Sequence, residues 1–246
     1  MKTHELTQGS PEWLAFRRAH FNASDAAAML GISPYKTRAA LLQEYATGIT
    51  PEVDSATQAR FDKGHVLEES ARRIAEDEDY IGQELYPVVG TWDEWEKLSA
   101  SFDGLTMDES IVWEHKTWNM RFMEELPADV DAQIQQQLLV SGAKKALFMA
   151  TGNGDGEMIN AWVKPDQAFQ QSILDGWMQF ERDLQNWKPP VETIALEGKA
   201  PETLPALMIQ VTGAVTASNL PEFKARALAV IRSINTDLQT DQDFAD

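Results

Sequence analysis

The order of periodicities along this chain predicts an α/β (α+β) fold in which a central mixed β-sheet is flanked by helices. Helical patterns open the chain, strand-like alternation fills its middle, and a further helix–strand–strand–helix run follows. With 246 residues, 43% of them hydrophobic and 9% aromatic, the chain suits one large domain or one domain with a small appendage.

Residues 10–48 read as helical with breaks. Ser10 caps a first helix whose opening residue is Pro11, where a missing N–H costs nothing. Asn22-Ala23-Ser24-Asp25 is expected to cap a second helix running to Leu30, ended by Gly31, and Pro34-Tyr35-Lys36-Thr37 to open a third running to Tyr45. A long amphipathic helix is expected over 57–78, with Val66, Leu67, Ile74 and the alanines toward the core. Strands are expected around 84–89, 98–102 and 111–117, then a helix at 130–141 and a strand at 146–150. The glycine-rich turn 151–156 predicts a hairpin partner at 157–163, and a helix over 167–187 should stop at Lys188-Pro189-Pro190. The expected division is a domain over 1–188, a linker over 189–205, and a small C-terminal segment over 206–246 with a strand at 207–215 and a helix at 221–234. That segment has no readable role and resembles the start of an incomplete second module.

No run reaches the ~20 apolar residues of a membrane span, and the N-terminus lacks a signal-peptide pattern, so a cytoplasmic location is expected. Zero cysteines exclude disulfides, thiolate zinc sites and iron–sulfur clusters. His4, His20, His65 and His115 show no metal-ligand spacing. The 39 acidic against 21 basic residues, a net charge of −18, argue against non-specific coating of DNA. The same balance argues only weakly against a nuclease, whose metal-holding carboxylates add to the count.

The stretch from Ser101 to Thr117 carries the chemistry. Glu114 and Lys116 stand two apart on an expected strand and so project from one face. A hairpin brings Asp103, at the end of the preceding strand, beside them. Two carboxylates, with the backbone carbonyl of His115 as a third oxygen, suit Mg²⁺, a hard ion that takes oxygen ligands. Lys116 would orient a water or stabilise transition-state charge at a phosphodiester. The same pattern also reads as a solvated hairpin whose Glu and Lys alternate with core residues.

In order, Trp13-x3-Arg17, Asn22-Ala23-Ser24-Asp25, Ile32-Ser33-Pro34-Tyr35-Lys36, Gly64-x3-Glu68, Ser101-Phe102-Asp103-Gly104, Glu114-His115-Lys116 and Ala132-Gln133-Ile134-Gln135 make residues 10–187 resemble one family. It is the phage lambda exonuclease and YqaJ-type viral recombinase family, of the PD-(D/E)xK (restriction-endonuclease-like) nuclease fold. Two departures are small: Phe102 stands where the fold's name has proline, and His115 occupies a usually apolar position, with its side chain expected to face away from the metal.

The resemblance implies Asp103 and Glu114 as metal ligands, Lys116 as the catalytic lysine, Glu68 as a further carboxylate and Gln133 as a group that positions water or phosphate. Glu68 beside Glu69 also reads as solvated helix, and Gln133 to Gln137 as one polar helix face. Arg17, Ser24 and Ser101 match the family's pocket for the 5′-phosphate of a duplex end, where a forked guanidinium suits phosphate. The eight tryptophans read mostly as core or interface residues; Trp118, two beyond Lys116, falls on the site side, where contact with DNA is the alternative reading. The implied activity is a Mg²⁺-dependent 5′→3′ exonuclease (Mn²⁺ as substitute) that digests double-stranded DNA from its ends and leaves 3′ overhangs for a phage single-strand annealing protein. A homotrimeric ring with basic groups such as Lys36, Arg38 or Lys144 in its lumen is implied too. A related endonuclease or single-strand nuclease, and a non-catalytic DNA-end-binding or annealing module, are the competing readings.

Overall fold

The computed structural model describes residues 1–49, 67–117, 125–152 and 158–189. Met1–Trp187 form one compact unit. The strand expected at 207–215, the helix at 221–234, the start of the helix at 57–78, and the side chains of His65 and Trp118 lie outside the described residues.

The described elements run β1 (Lys2–His4), α1 (Pro11–Ala19), β2 (Phe21–Asn22), α2 (Ala26–Leu30, preceded by a 3₁₀ turn at Ala23–Asp25) and α3 (Arg38–Thr47). After α4, helical over 67–75, come β3 (Leu85–Trp92), β4 (Trp95–Thr106), β5 (Ile111–Thr117), α5 (Ala128–Ser141), β6 (Lys145–Thr151), β7 (Met158–Val163) and α6 (Gln167–Gln185). The seven strands form one mixed sheet in the order β1-β3-β4-β5-β6-β7, with β2 beside β4. Antiparallel β3–β4–β5 continues through a parallel β5–β6 pair, with α5 as the crossover, into antiparallel β6–β7. The expected α/β sheet flanked by helices is what the chain forms.

Each face of the sheet is covered by its own core. On one side Phe21, Leu98, Phe102 and Phe148 pack with Ile134 of α5 and Trp177 of α6. On the other, Ala71 and Ala75 of α4 pack on Leu85, Trp113, Leu147 and Met149. Ile74, expected in this core, is instead 43% exposed. The i, i+4 pair Ala71 and Ala75 sets the buried line of α4, and small side chains there let the helix approach the sheet closely; Ile74 sits at the edge of that line.

Two helix caps differ from the sequence reading, and the end of α3, the start of α5 and the end of α6 each fall two residues from those expected. The third helix starts at Arg38, four residues after Pro34, because the Thr37 hydroxyl accepts from Ala40 N and makes the cap. Neither Asn22 nor Asp25 caps the second helix. The Asn22 amide instead donates to the carbonyls of Arg17 (2.8 Å) and His20 (2.9 Å) and to the Tyr45 hydroxyl (3.0 Å), closing the turn between α1 and β2. Ser10 does cap α1, accepting from Trp13 N at 3.1 Å. Asp166, capping α6 through Ala168 N and Phe169 N, completes the expected helix.

The glutamines of α5 are no polar face. Gln135, Gln136 and Gln137 are 2%, 0% and 0% exposed. The Gln136 amide donates to Phe21 O (2.8 Å) and Ser99 O (2.9 Å) and accepts from Trp177 Nε1 (2.7 Å), joining β2, β4 and α6 through one side chain. Gln135 donates to Lys164 O and accepts from Asp166 N. Buried amides persist in such a helix because nearly every polar atom has a partner.

Candidate active site

The site lies where β4 and β5 part. Between the pairs Tyr86/Leu105 and Val88/Phe102, β3 advances two residues and β4 three, a β-bulge at Asp103-Gly104 opposite Pro87. Proline has no N–H for the ladder, which favours a bulge at that step. Gly104 is required there: a Cβ would stand 2.9 Å from Leu85 Cβ and 3.2 Å from Trp113 Cε3. The β4–β5 ladder holds at Leu105/Val112 and Gly104/Trp113, and the next step of that register sets Asp103 across from Glu114. There the His115 N–H donates to the Asp103 carboxylate (Oδ2, 2.9 Å). In extended backbone a residue's N–H and C=O point to the same side, so the His115 carbonyl also faces Asp103. The other edge of β5 is paired with β6 along its whole length.

Glu114 is 1% exposed. Its Oε1 accepts from Lys116 Nζ at 2.6 Å and from Gln133 Nε2 at 2.7 Å, and its Oε2 from Gln137 Nε2 at 2.7 Å. Lys116 Nζ also donates to Gln133 Oε1 at 3.1 Å, closing a triangle of Glu114, Lys116 and Gln133. His115, on the opposite face as expected, bonds Thr151 Oγ1 (2.9 Å) and stacks on Trp113. Burial, then the Lys116 charge, pushes its imidazole down to about 4, so it is neutral.

Burial, the Glu114 charge and, more weakly, Glu68 hold the Asp103 carboxyl well above the usual carboxylate range, against the pull of Lys116 and the His115 N–H. Burial acts to lower the pKa of Lys116, but Glu114 and Asp103, with Asp129 from the first turn of α5, outweigh it and raise the ammonium. Two carboxyl groups are thus crowded around one ammonium between β4 and β5, and a bound cation would relieve the repulsion that helps raise Asp103.

The donor set of two carboxylates and a strand carbonyl fits a hard divalent ion. Glu68 reaches the field of Asp103, but its Oε1 accepts from Arg72 Nη2 at 3.0 Å. Among the described residues no three His, Asp or Glu side chains converge as a ligand set, so Glu68 is placed near the pair rather than on it.

The three residues matching a phosphate pocket also come together. Arg17 Nη2 donates to Ser24 Oγ at 2.8 Å, and its guanidinium lies 4.8 Å over the Trp13 ring. Trp13 Nε1 donates to Ser101 Oγ at 3.0 Å, which fixes the cluster to β4 two residues before Asp103. Arg17 also lies 3.7 Å from Asp25 Oδ2. Two of the basic residues named for a channel are engaged in ion pairs, Lys36 with Glu44 (2.7 Å) and Arg38 with Asp183 (2.7 Å), whereas Lys144 is exposed.

Sequence reasoning missed Gln137 and Asp129. The signal for Gln137 was its spacing: four residues beyond Gln133, it lies on the same face of α5 and above the same carboxylate.

The profile of the YqaJ-like viral recombinase domain matches residues 12–144. The uncharacterized protein YqaJ of Bacillus subtilis (strain 168) is 27% identical over 197 residues, 77% of this chain and 58% of that protein. The chain thus spans 58% of that relative's length. An alkaline exonuclease of Laribacter hongkongensis superposes with a TM-score of 0.60 at 22% identity, over 72% of this chain and 93% of that one. The same protein in complex with dAMP gives 0.61 at 21% identity, with 72% and 93% covered. A phage-related exonuclease of Haemophilus somnus 129PT gives 0.50 at 13% identity, over 71% and 97%. These likenesses show the PD-(D/E)xK fold. The profile covers more than half of the sequence, and the chain belongs to the YqaJ-like viral recombinase family.

Proposed function

We propose that this protein is a divalent-metal-dependent 5′→3′ exonuclease that digests double-stranded DNA from its ends and leaves 3′ single-stranded overhangs. One observation carries the reading: Asp103, Glu114, Lys116 and Gln133 meet at the point where β4 and β5 separate. A purely binding surface would gain nothing from carboxylates gathered where phosphate must lie.

Asp103, Glu114 and the His115 carbonyl would hold the ion, with Glu68 acting from the side. Mg²⁺, or Mn²⁺ in its place, supplies Lewis acidity and an activated water when bound. Glu114 and Asp103 raise the pKa of Lys116, so in the metal-free site it is an ammonium, suited to stabilising negative charge on the phosphate or orienting the water. Gln133 fixes that ammonium by bonding both Lys116 and Glu114. Arg17, Ser24 and Ser101 form the pocket for the terminal 5′-phosphate, with the Arg17 guanidinium over the Trp13 ring. Processive digestion would follow from a homotrimeric ring around the DNA, and the overhang would pass to a single-strand annealing protein in the host cytoplasm during phage recombination. The described residues include no helix long and apolar enough to cross a membrane.

The test offers linear duplex with and without a 5′-phosphate, closed circles and single strands, in Mg²⁺ and in EDTA. Metal-dependent digestion of linear duplex from 5′-phosphorylated ends is expected. Cutting of closed circles would replace this reading with an endonuclease. Binding without digestion would replace it with a non-catalytic end-binding or annealing module.

A further inference from the structure

We infer that Gln137 is a positioning residue that orients the Glu114 carboxylate to receive a divalent cation, an inference that rests on reading Glu114 as a metal-binding carboxylate. Gln137 is fully buried on α5, and both hydrogens of its amide nitrogen are committed. One goes to Glu114 Oε2 at 2.7 Å and the other to Ser101 O at 3.2 Å. The reverse amide orientation would set Gln137 Oε1 against a carboxylate oxygen at that short distance, so the chemistry fixes which atom is nitrogen.

The two Glu114 oxygens are therefore held from two sides. Oε1 takes Gln133 and Lys116, and Oε2 takes Gln137. Each carboxylate oxygen has two lone pairs, so the single bond from Gln137 fixes the plane of the carboxylate and leaves acceptor capacity for a cation. The bond to Ser101 O anchors the same amide to β4, the strand that carries Asp103. Gln137 thereby sets Glu114 relative to Asp103.

The orphaned atom supports a role beyond packing. Gln137 Oε1 is buried with no hydrogen-bond partner among the described residues. A position that needed only bulk would be filled better by Leu or Met, which bury no unsatisfied carbonyl. An amide that is locally unfavourable yet uses both donors on the site has the character of a group that supports a ligand from behind.

The test uses the full chain and Gln137→Met, which keeps length and volume but has no donor. Mn²⁺ affinity is measured by titration calorimetry without DNA, and kcat and KM on linear 5′-phosphorylated duplex. In Gln137→Met, Mn²⁺ affinity should fall about 10–100-fold and kcat by a similar factor, with KM changed less than about twofold. A folded variant that binds Mn²⁺ as wild type does overturns the inference, whatever its melting temperature. Should the variant fail to fold, the wild-type chain decides: the ¹H–¹⁵N signals of the Gln137 side-chain amide must shift along the Mg²⁺ binding curve, and signals unmoved at saturation overturn the inference. If wild type binds Mn²⁺ but digests no DNA, the exonuclease reading fails and the affinity comparison still decides the role of Gln137. A wild-type chain that binds no Mn²⁺ overturns both.

Discussion

Replacing Asp103 by Asn should stabilise the protein in metal-free buffer at neutral pH while removing its activity. Asn keeps an oxygen to accept the His115 N–H, which Asp103 Oδ2 receives at 2.9 Å, but loses the charge that burial, Glu114 and Glu68 disfavour. The sign follows from linkage. The folded-state pKa of Asp103 is raised, so its favourable protonated form is fully present below the unfolded value and is lost as pH rises through the folded one. Above the unfolded value the wild type therefore loses stability, either by holding the buried charge or by taking up a proton on folding, and the variant does neither. Removing one disfavoured buried charge while keeping its hydrogen bond is worth about 1–2 kcal/mol. For a chain of this size that is a rise in Tm of about 2–8 °C. Differential scanning calorimetry near pH 8 and near pH 4, with EDTA and with excess Mg²⁺, reads the effect. The gap between variant and wild type should be wide at the higher pH and close at the lower. Excess Mg²⁺ should narrow or reverse it at the higher pH, because an ion at about 100 times its Kd stabilises wild type by about 2.7 kcal/mol. A variant that melts below wild type near pH 8 in EDTA would refute the charge argument.

Three further outcomes are expected. Lys116→Ala should lower cleavage of linear duplex by about 10²–10³-fold or more and leave DNA binding largely intact; normal turnover would remove this lysine from the chemistry. Arg17→Ala should cut the preference for 5′-phosphorylated over hydroxyl ends by about 10–100-fold, the worth of a charge-assisted hydrogen bond, with turnover on unphosphorylated ends little changed. An unchanged preference would reject the pocket. Gly104→Ala should destabilise by about 1–3 kcal/mol through overpacking, because its Cβ meets Leu85 and Trp113; a denaturation midpoint equal to that of wild type would mean that the bulge relaxes freely.

Much of the fold was readable because β5 and β6 alternate or run apolar between clear turns, and Ser10 and Gly31 mark helix ends with their own chemistry. Glu114 and Lys116 could be paired from the strand period alone, and the structure joins them at 2.6 Å. The seating of Asp103 was harder. It depends on a bulge whose sequence traces, Pro87 and Gly104, lie on different strands and acquire meaning only once β3 and β4 are in register. The glutamine run left a polar helix face open as an alternative, because consecutive amides point around a whole helix turn and a polar run on an isolated helix belongs in water. In α5 the free carbonyls of Phe21 and Ser99 and the Trp177 N–H come from distant elements and make burial tolerable. Ile74 misled for the converse reason: hydrophobicity proposes a core face, but close approach of α4 to the sheet selected Ala71 and Ala75. The short strands β1 and β2 gave no periodic signal at lengths of three and two residues.

The most direct measurement is anomalous diffraction from crystals of the wild-type chain soaked in Mn²⁺. A single strong peak is expected in contact with a carboxylate oxygen of Asp103, one of Glu114 and the carbonyl of His115, with Lys116 alongside. A peak that touches neither carboxylate, or none at saturating Mn²⁺, would contradict the metal site on which the proposed chemistry stands.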